Sequence, residues 1–181
     1  MPVRSVASSR EGHHIATASA DGTARIWNLH GQQLVALTGH DLPVRDVAFS
    51  PDGRRVVTAS SDGTARIWST SGEHLSTLVG HMSSVGSVSY SPGGTRIATT
   101  SDDGTARIWD SATGAELAIL VHGESGMAVV LPDGAYRTQG DVGDRLWWAV
   151  KQVRFEVGEL DGYYPEIRRL GVDEVLPGVT S

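Results

Sequence analysis

Apolar residues fall along this chain in short runs closed by turn signals. In residues 44–50, apolar and polar side chains alternate up to Pro51-Asp52-Gly53, where a fixed φ, a side-chain acceptor and a permissive glycine make a turn. Residues 55–60 are rich in β-branched types and end at Ser61-Asp62-Gly63, which suits a tight hairpin. Residues 64–68 read as a third strand and residues 74–79 as a fourth, entered through Ser71-Gly72. Four strands of five to seven residues joined by glycine-containing turns predict one small antiparallel sheet. No window sustains the 3.6-residue period of an amphipathic helix, so the expected fold class is all-β.

That unit recurs. Thr-Ala-Arg-Ile-Trp stands at 23–27, 64–68 and 105–109, each time after Asp-Gly, at intervals of 41 residues. Residues 3–27 and 44–68 agree at 16 of 25 positions, which is internal duplication. Gly39-His40 and Gly80-His81 each lie 28 positions before their Trp, at 68 and 109. With the Ser50-Pro51-Asp52-Gly53 turn and the terminal Trp109-Asp110, these motifs resemble the WD40 repeat family of β-propellers.

The resemblance implies three clear blades and, with a divergent fourth, either an incomplete ring or one closed by oligomerisation. It also implies a hydrogen-bonded tetrad in each blade. The second would use His40, Ser60, Asp62 and Trp68, the third His81, Ser101, Asp103 and Trp109. The first retains only Ser19, Asp21 and Trp27, because Met1 falls opposite Leu42 in the period and no Gly-His precedes it. Indole, hydroxyl, imidazole and carboxylate satisfy one another where water is scarce. The domain reading is three repeats over 1–122 (1–38, 39–79 and 80–122), a divergent blade or C-terminal module over 123–170, and a tail over 171–181.

The fourth unit keeps Leu131-Pro132-Asp133-Gly134 in place of Ser50-Pro51-Asp52-Gly53, and its Gly-His has become His122-Gly123. Residues 131–170, with Arg145-Leu146-Trp147-Trp148-Ala149 and Gly158-Glu159-Leu160-Asp161, resemble a region that follows WD40 arrays in bacterial multidomain proteins.

Composition trims the functional classes. The chain has 181 residues, 39% hydrophobic, which suffices for a core. It has no cysteine, which removes disulfides, thiolate metal sites and cysteine nucleophiles. Residues 1–110 carry a net charge of -1 and residues 111–181 one of -5, without the basic stripe of a nucleic-acid or anionic-membrane binder. The start, Met1-Pro2-Val3-Arg4-Ser5, lacks an apolar signal core, so a cytoplasmic location is expected. Nucleophile elbows and phosphate-binding glycine loops are absent from the sequence, and no cofactor or metal is expected. His40 and His81 have both ring nitrogens assigned to tetrad partners, and Asp102-Asp103-Gly104 lacks the ligand series of a calcium loop.

The expected function is a non-enzymatic protein–protein interaction or scaffold module, serving as the sensing or docking part of a larger bacterial signalling protein. Its partner would be a protein or peptide, not nucleic acid or membrane, and a homodimer could complete the propeller. By the family's geometry Arg4, Ala20, Arg45, Ser61 and Asp102 would lie at one rim, facing that partner. The competing expectations are a hydrolase or lyase using Glu156, Glu159 and Asp161, and a fragment with no independent function.

Overall fold

The computed structural model describes residues 1–123 and 125–140, and among them every regular element is a β-strand. The chain divides into two compact units, Met1–Leu117 and Ala118–Ser181.

In the first unit, β1 (Val3–Ser8), β2 (His14–Ser19), β3 (Ala24–Asn28) and β4 (Gln33–Leu37) form one antiparallel meander. Next come β5 (Val44–Phe49), β6 (Arg55–Ser60), β7 (Ala65–Ser69) and β8 (His74–Leu78) in the same order. A third sheet starts with β9 (Val85–Tyr90), β10 (Arg96–Ser101) and β11 (Thr105–Asp110). The Ser50-Pro51-Asp52-Gly53 turn closes as the sequence implies: Ser50 N–H donates to the Arg55 carbonyl and Gly53 N–H to that of Ser50, at φ +68° for Gly53. The strand β12 (Glu116–His122), which starts at the end of the first unit, pairs antiparallel with β13 (Met127–Val130), and β13 with β14 (Tyr136–Gln139). Leu131-Pro132-Asp133-Gly134 makes the β13–β14 turn, Gly134 N–H donating to the Leu131 carbonyl.

The core of the first unit lies between sheets. Ala16, Ala18, Ala24, Ile26 and Leu37 of the first sheet pack on Val44, Val47, Val56 and Trp68 of the second. One period later Val57, Ala59, Ala65, Ile67 and Leu78 pack on Val85, Val88, Ile97 and Trp109. Alternate positions of one strand therefore serve two interfaces, Val56 backward and Val57 forward, as side chains on opposite faces must. Strands β1, β5 and β9 run side by side across the three sheets of the first unit, which among the described residues follow one another as an open series.

Strands β1, β5 and β9 also share an irregularity. Val44 pairs with Ser60 but Asp46 with Ala59, so Arg45 is an extra residue. Arg4 and Gly86 hold the same position in the other two sheets. A bulge of this kind kinks the strand and re-aims the side chain it carries.

Candidate functional site

Two linked features concentrate the polar chemistry of the first unit: a buried relay in each sheet and a charged rim above it. In the second sheet His40 Nδ1 lies 2.7 Å from Asp62 Oδ2, and His40 Nε2 lies 2.8 Å from Thr58 Oγ1. The Trp68 indole N–H donates to the same hydroxyl at 2.9 Å. One arrangement satisfies every atom: indole to Thr58, Thr58 O–H to Nε2, Nδ1–H to Asp62. The third sheet repeats it with His81, Asp103, Thr99 and Trp109, at 2.9, 2.8 and 2.8 Å.

The hydroxyl differs from the one expected. Ser60 and Ser101 are not the relay members; Thr58 and Thr99 are. Strand register is the cause. Trp68 pairs with Val56, so Thr58 is the diagonal neighbour on the same face, whereas Ser60 lies a further two residues along. At about 3.3 Å per residue an indole reaches the first and not the second. Ser60 Oγ instead donates to the carbonyls of Leu42 and Pro43 and accepts the Asp62 N–H. Ser101 likewise donates to the Ser83 carbonyl and accepts Asp103 N–H. These serines fasten the turn after their strand to the loop that carries the histidine.

The first sheet shows what happens without the histidine. Trp27 donates to Thr17 at 2.9 Å, again in place of Ser19, whose hydroxyl accepts the Asp21 N–H. Asp21 turns to Arg25, whose Nη2 donates at 2.8 Å, and to both Thr23 donors. In the other sheets the equivalent guanidinium lies against the Gly-His dipeptide: a Cβ on Gly39 would stand 2.6 Å from Arg66 Nη1, and one on Gly80 2.6 Å from Arg107 Nη1. Arg107 also pairs with Glu116.

Electrostatics follow from burial. Desolvation holds the His40 and His81 imidazoles below their ordinary pKa, and it outweighs the carboxylate beside each. Burial would raise Asp62 and Asp103, but hydrogen bonds from the Thr at i+2 and from the histidine reverse it. Asp103 falls to about 2. Each relay therefore couples a neutral imidazole to a carboxylate, with both ring nitrogens engaged. It is built to hold the turns, not to move protons to a substrate.

The relays hold up the rim. Residues 20, 61 and 102, at the tips of the turns after β2, β6 and β10, are each pinned by backbone: Ala20 N–H to Pro2, Ser61 N–H to Pro43 and Asp102 N–H to Ser84. The bulge sends Arg45 toward two of them. Its Nε donates to Ser61 Oγ at 2.9 Å, and its Nη1 reaches Asp102 Oδ2 of the next sheet at 3.4 Å. Both charged side chains stay open, 43% and 56% exposed. Arg4 is exposed at the corresponding position of the first sheet, where Ala20 offers it no hydroxyl.

Sequence reasoning missed Asp46, next to the bulge. Its Oδ1 accepts Ser5 Oγ–H from the first sheet at 2.6 Å, and its Oδ2 accepts Ser87 Oγ–H and Val88 N–H from the third. The signal was present: Ser5, Asp46 and Ser87 are one repeat position, and only the middle copy is a carboxylate.

At the opposite turns a cavity of about 530 Å³ is lined by Arg10, Asp52, Arg55, Tyr90 and Asp110 among others. Arg55 donates to the Ser111 carbonyl across it at 2.8 Å. The Tyr90 hydroxyl beside it is buried without a partner, and burial pushes its pKa up to about 12. Among the described residues no three His, Asp or Glu side chains converge as metal ligands. Trp147, Trp148, Glu156, Glu159 and Asp161, and the tail over 171–181, lie outside the described residues.

No curated protein matches the chain. The family model for the WD domain, G-beta repeat, matches residues 1–28, 31–69 and 72–110, more than half of the sequence. Domains of this repeat are typically non-enzymatic and bind or scaffold protein partners. The repeated sheets, the four-membered relay in two of them and these three matches have one meaning: the chain belongs to the WD40 repeat family.

Proposed function

We propose that this chain is a non-enzymatic docking platform for a protein or peptide, with its partner face at the rim of Arg4, Ala20, Arg45, Ser61 and Asp102. The observation that carries the reading is Arg45. A bulge aims it out of the sheet, Ser61 and Asp102 hold it from two sheets, and it remains open to solvent. An exposed ion pair of this kind adds only ~0–1 kcal/mol to stability, so its chemistry is available to a partner. The remaining guanidinium N–H groups suit a carboxylate or carbonyl, and Asp102 suits a cationic side chain. The near-zero net charge of residues 1–110 favours a protein over nucleic acid or an anionic membrane.

The wider setting we propose is a larger cytoplasmic signalling protein of bacterial type, in which the array senses or docks. The resemblance of residues 131–170 to segments that follow such arrays supports it. Self-association of two copies into one ring completes the reading.

The test is a variant with Arg4→Glu, Ala20→Arg, Arg45→Glu, Ser61→Arg and Asp102→Arg together. Cross-linked partners are quantified against wild type in the cell of origin, and the melting temperature is measured alongside. Loss of partners without loss of folding is expected. Partners that persist through all five changes place the binding face elsewhere.

A further inference from the structure

One arginine of the repeat is answered differently in each sheet. Arg25, Arg66 and Arg107 hold the same repeat position. In the first sheet Arg25 Nη2 donates at 2.8 Å to Asp21, which no histidine claims. In the third, Arg107 pairs with Glu116 through Nη1. Arg66 has neither acid. Asp62 is taken by the His40 imidazole, the Thr64 hydroxyl and the Asp41 N–H. Leu75 stands one period before Glu116, and it is 42% exposed. Thr77, which the register sets opposite Arg66, bonds to His74 at 2.9 Å instead. Among the described residues nothing accepts from the Arg66 guanidinium, and its Nε is buried without a partner.

The surroundings of Arg66 otherwise match those of Arg107. Arg66 lies two residues before Trp68 and so on the face turned to the first sheet, whose Ala24, Ile26 and Leu37 pack with that indole. A Cβ on Gly39 would stand 2.6 Å from Arg66 Nη1 and 3.5 Å from the Trp68 ring. One on Gly80 would stand 2.6 Å from Arg107 Nη1, 3.1 Å from the Trp109 ring and 3.2 Å from Glu116 Oε2. Glycine, guanidinium and indole are common to both places, and only the third sheet adds the carboxylate. The second sheet is flanked by another on each side, so this difference lies inside the series and not at its ends. A half-buried guanidinium has given up part of its water without an anion in return, which is unfavourable until one arrives.

We propose that Arg66 anchors an Asp or Glu side chain of a protein partner, bound as Glu116 is bound to Arg107, with Leu75 as its apolar neighbour. Arg66 is on β7 and Leu75 on β8, the opposite edge of the sheet from β5, which carries Arg45. This is therefore a second contact, independent of the rim. The local charge suits a carboxylate better than a phosphate. One guanidinium offers a single positive charge, and the Asp62 carboxylate behind His40, held below its ordinary pKa, disfavours a dianion.

The probe is a displayed library of random peptides, selected on the full chain. Peptides retained by wild type are expected to share an Asp or Glu beside an apolar residue. For one such peptide, changing the acid to its amide is expected to weaken binding about tenfold or more. Arg66→Gln is expected to weaken the acidic peptide by the same factor and the amide peptide not at all. Leu75→Glu, at an exposed position, is expected to exclude the peptide by setting an internal carboxylate on Arg66, with an unchanged circular dichroism spectrum. Leu75→Gln is expected to weaken binding less, and Arg45→Glu to leave it as it was. Acidic peptides that bind Arg66→Gln as tightly as wild type overturn the site, as do retained peptides without a shared acid or a library from which nothing is retained. Peptides lost on Arg45→Glu but kept on Arg66→Gln overturn it too, and leave the rim standing.

Discussion

Replacing Thr58 with valine keeps the shape of the side chain and removes the one atom that joins the indole to the imidazole. Thr58 is fully buried, and its hydroxyl accepts the Trp68 indole N–H at 2.9 Å while meeting His40 Nε2 at 2.8 Å. Thr58→Val strands a buried donor and a buried acceptor. At ~1–3 kcal/mol for each orphaned group, the loss is about 3 kcal/mol. The first sheet provides the internal control, since Thr17 accepts only the indole of the half-buried Trp27. Water can replace that bond, so Thr17→Val should cost ~1 kcal/mol. Ser60→Ala removes a hydroxyl that donates to the Leu42 and Pro43 carbonyls and accepts the Asp62 N–H; Pro43 keeps the Ser61 N–H, so the Leu42 carbonyl and the Asp62 N–H are left and ~2 kcal/mol is expected. Urea titration followed by tryptophan fluorescence gives the three values; by heat, a chain of this size loses roughly 2–4 °C per kcal/mol. A Thr58→Val cost no larger than that of Thr17→Val, or smaller than that of Ser60→Ala, refutes the relay as the principal buried polar link of its sheet.

Acid should destabilise the fold in two stages. His40 and His81 are held below 6.5 in the fold, so the unfolded chain takes up their protons first; stability is full above pH 6.5 and falls as pH drops through it. Asp103, lowered from 3.8 to about 2, adds a second loss below pH 3.8, and urea midpoints from pH 8 to 3 should show both. Asp46→Ala should cost ~2–3 kcal/mol, and a double-mutant cycle with Ser5→Ala should return about 1 kcal/mol of coupling; zero coupling would detach Asp46 from the first sheet. Tyr90→Phe removes a buried hydroxyl that bonds to nothing, so its melting temperature should stay level or rise, and a clear fall would reveal a partner for that hydroxyl.

The strands were legible because the local signals agree: β-branched runs, Pro-Asp-Gly and Ser-Asp-Gly turns, and a fixed period bounding each unit. The relay was legible in kind and wrong in one member. Thr17, Thr58 and Thr99 recur as faithfully as Ser19, Ser60 and Ser101, so repetition cannot choose between two hydroxyls on one strand face. Register chooses, and register is a property of paired strands. The bulge left a faint trace: Arg45 and Asp46 are adjacent polar residues in a run that otherwise alternates, which is how an extra residue looks in one dimension. The capture of Asp21 by Arg25 had no trace at all, because Arg stands at that position in all three copies and changes partner only where the histidine is missing.

Comparing the three copies within the chain separates scaffold from surface. At the turn after the second strand of each sheet, all copies read Ser-x-Asp-Gly-Thr, and x is Ala20, Ser61 or Asp102. Ser60 and Asp62 turn inward, one to the loop carbonyls and the other to the imidazole and Thr64. Residue 61 is fastened to the turns through its backbone, its N–H to Pro43 and its carbonyl to the Ser84 hydroxyl, and its side chain meets only Arg45 at the rim. Its side chain therefore carries no structural duty, and the sequence varies there by charge and size while its neighbours do not vary at all. The bulge position behaves in the same way, with Arg4, Arg45 and Gly86 at one backbone geometry. Variation at the two positions that meet at the rim, on turns held rigid by invariant neighbours, is the pattern of a surface whose chemistry is set independently of its fold. A partner reading that rim would engage the junction of the second and third sheets first, because Arg45, Ser61 and Asp102 converge there and the first sheet offers only an arginine and an alanine.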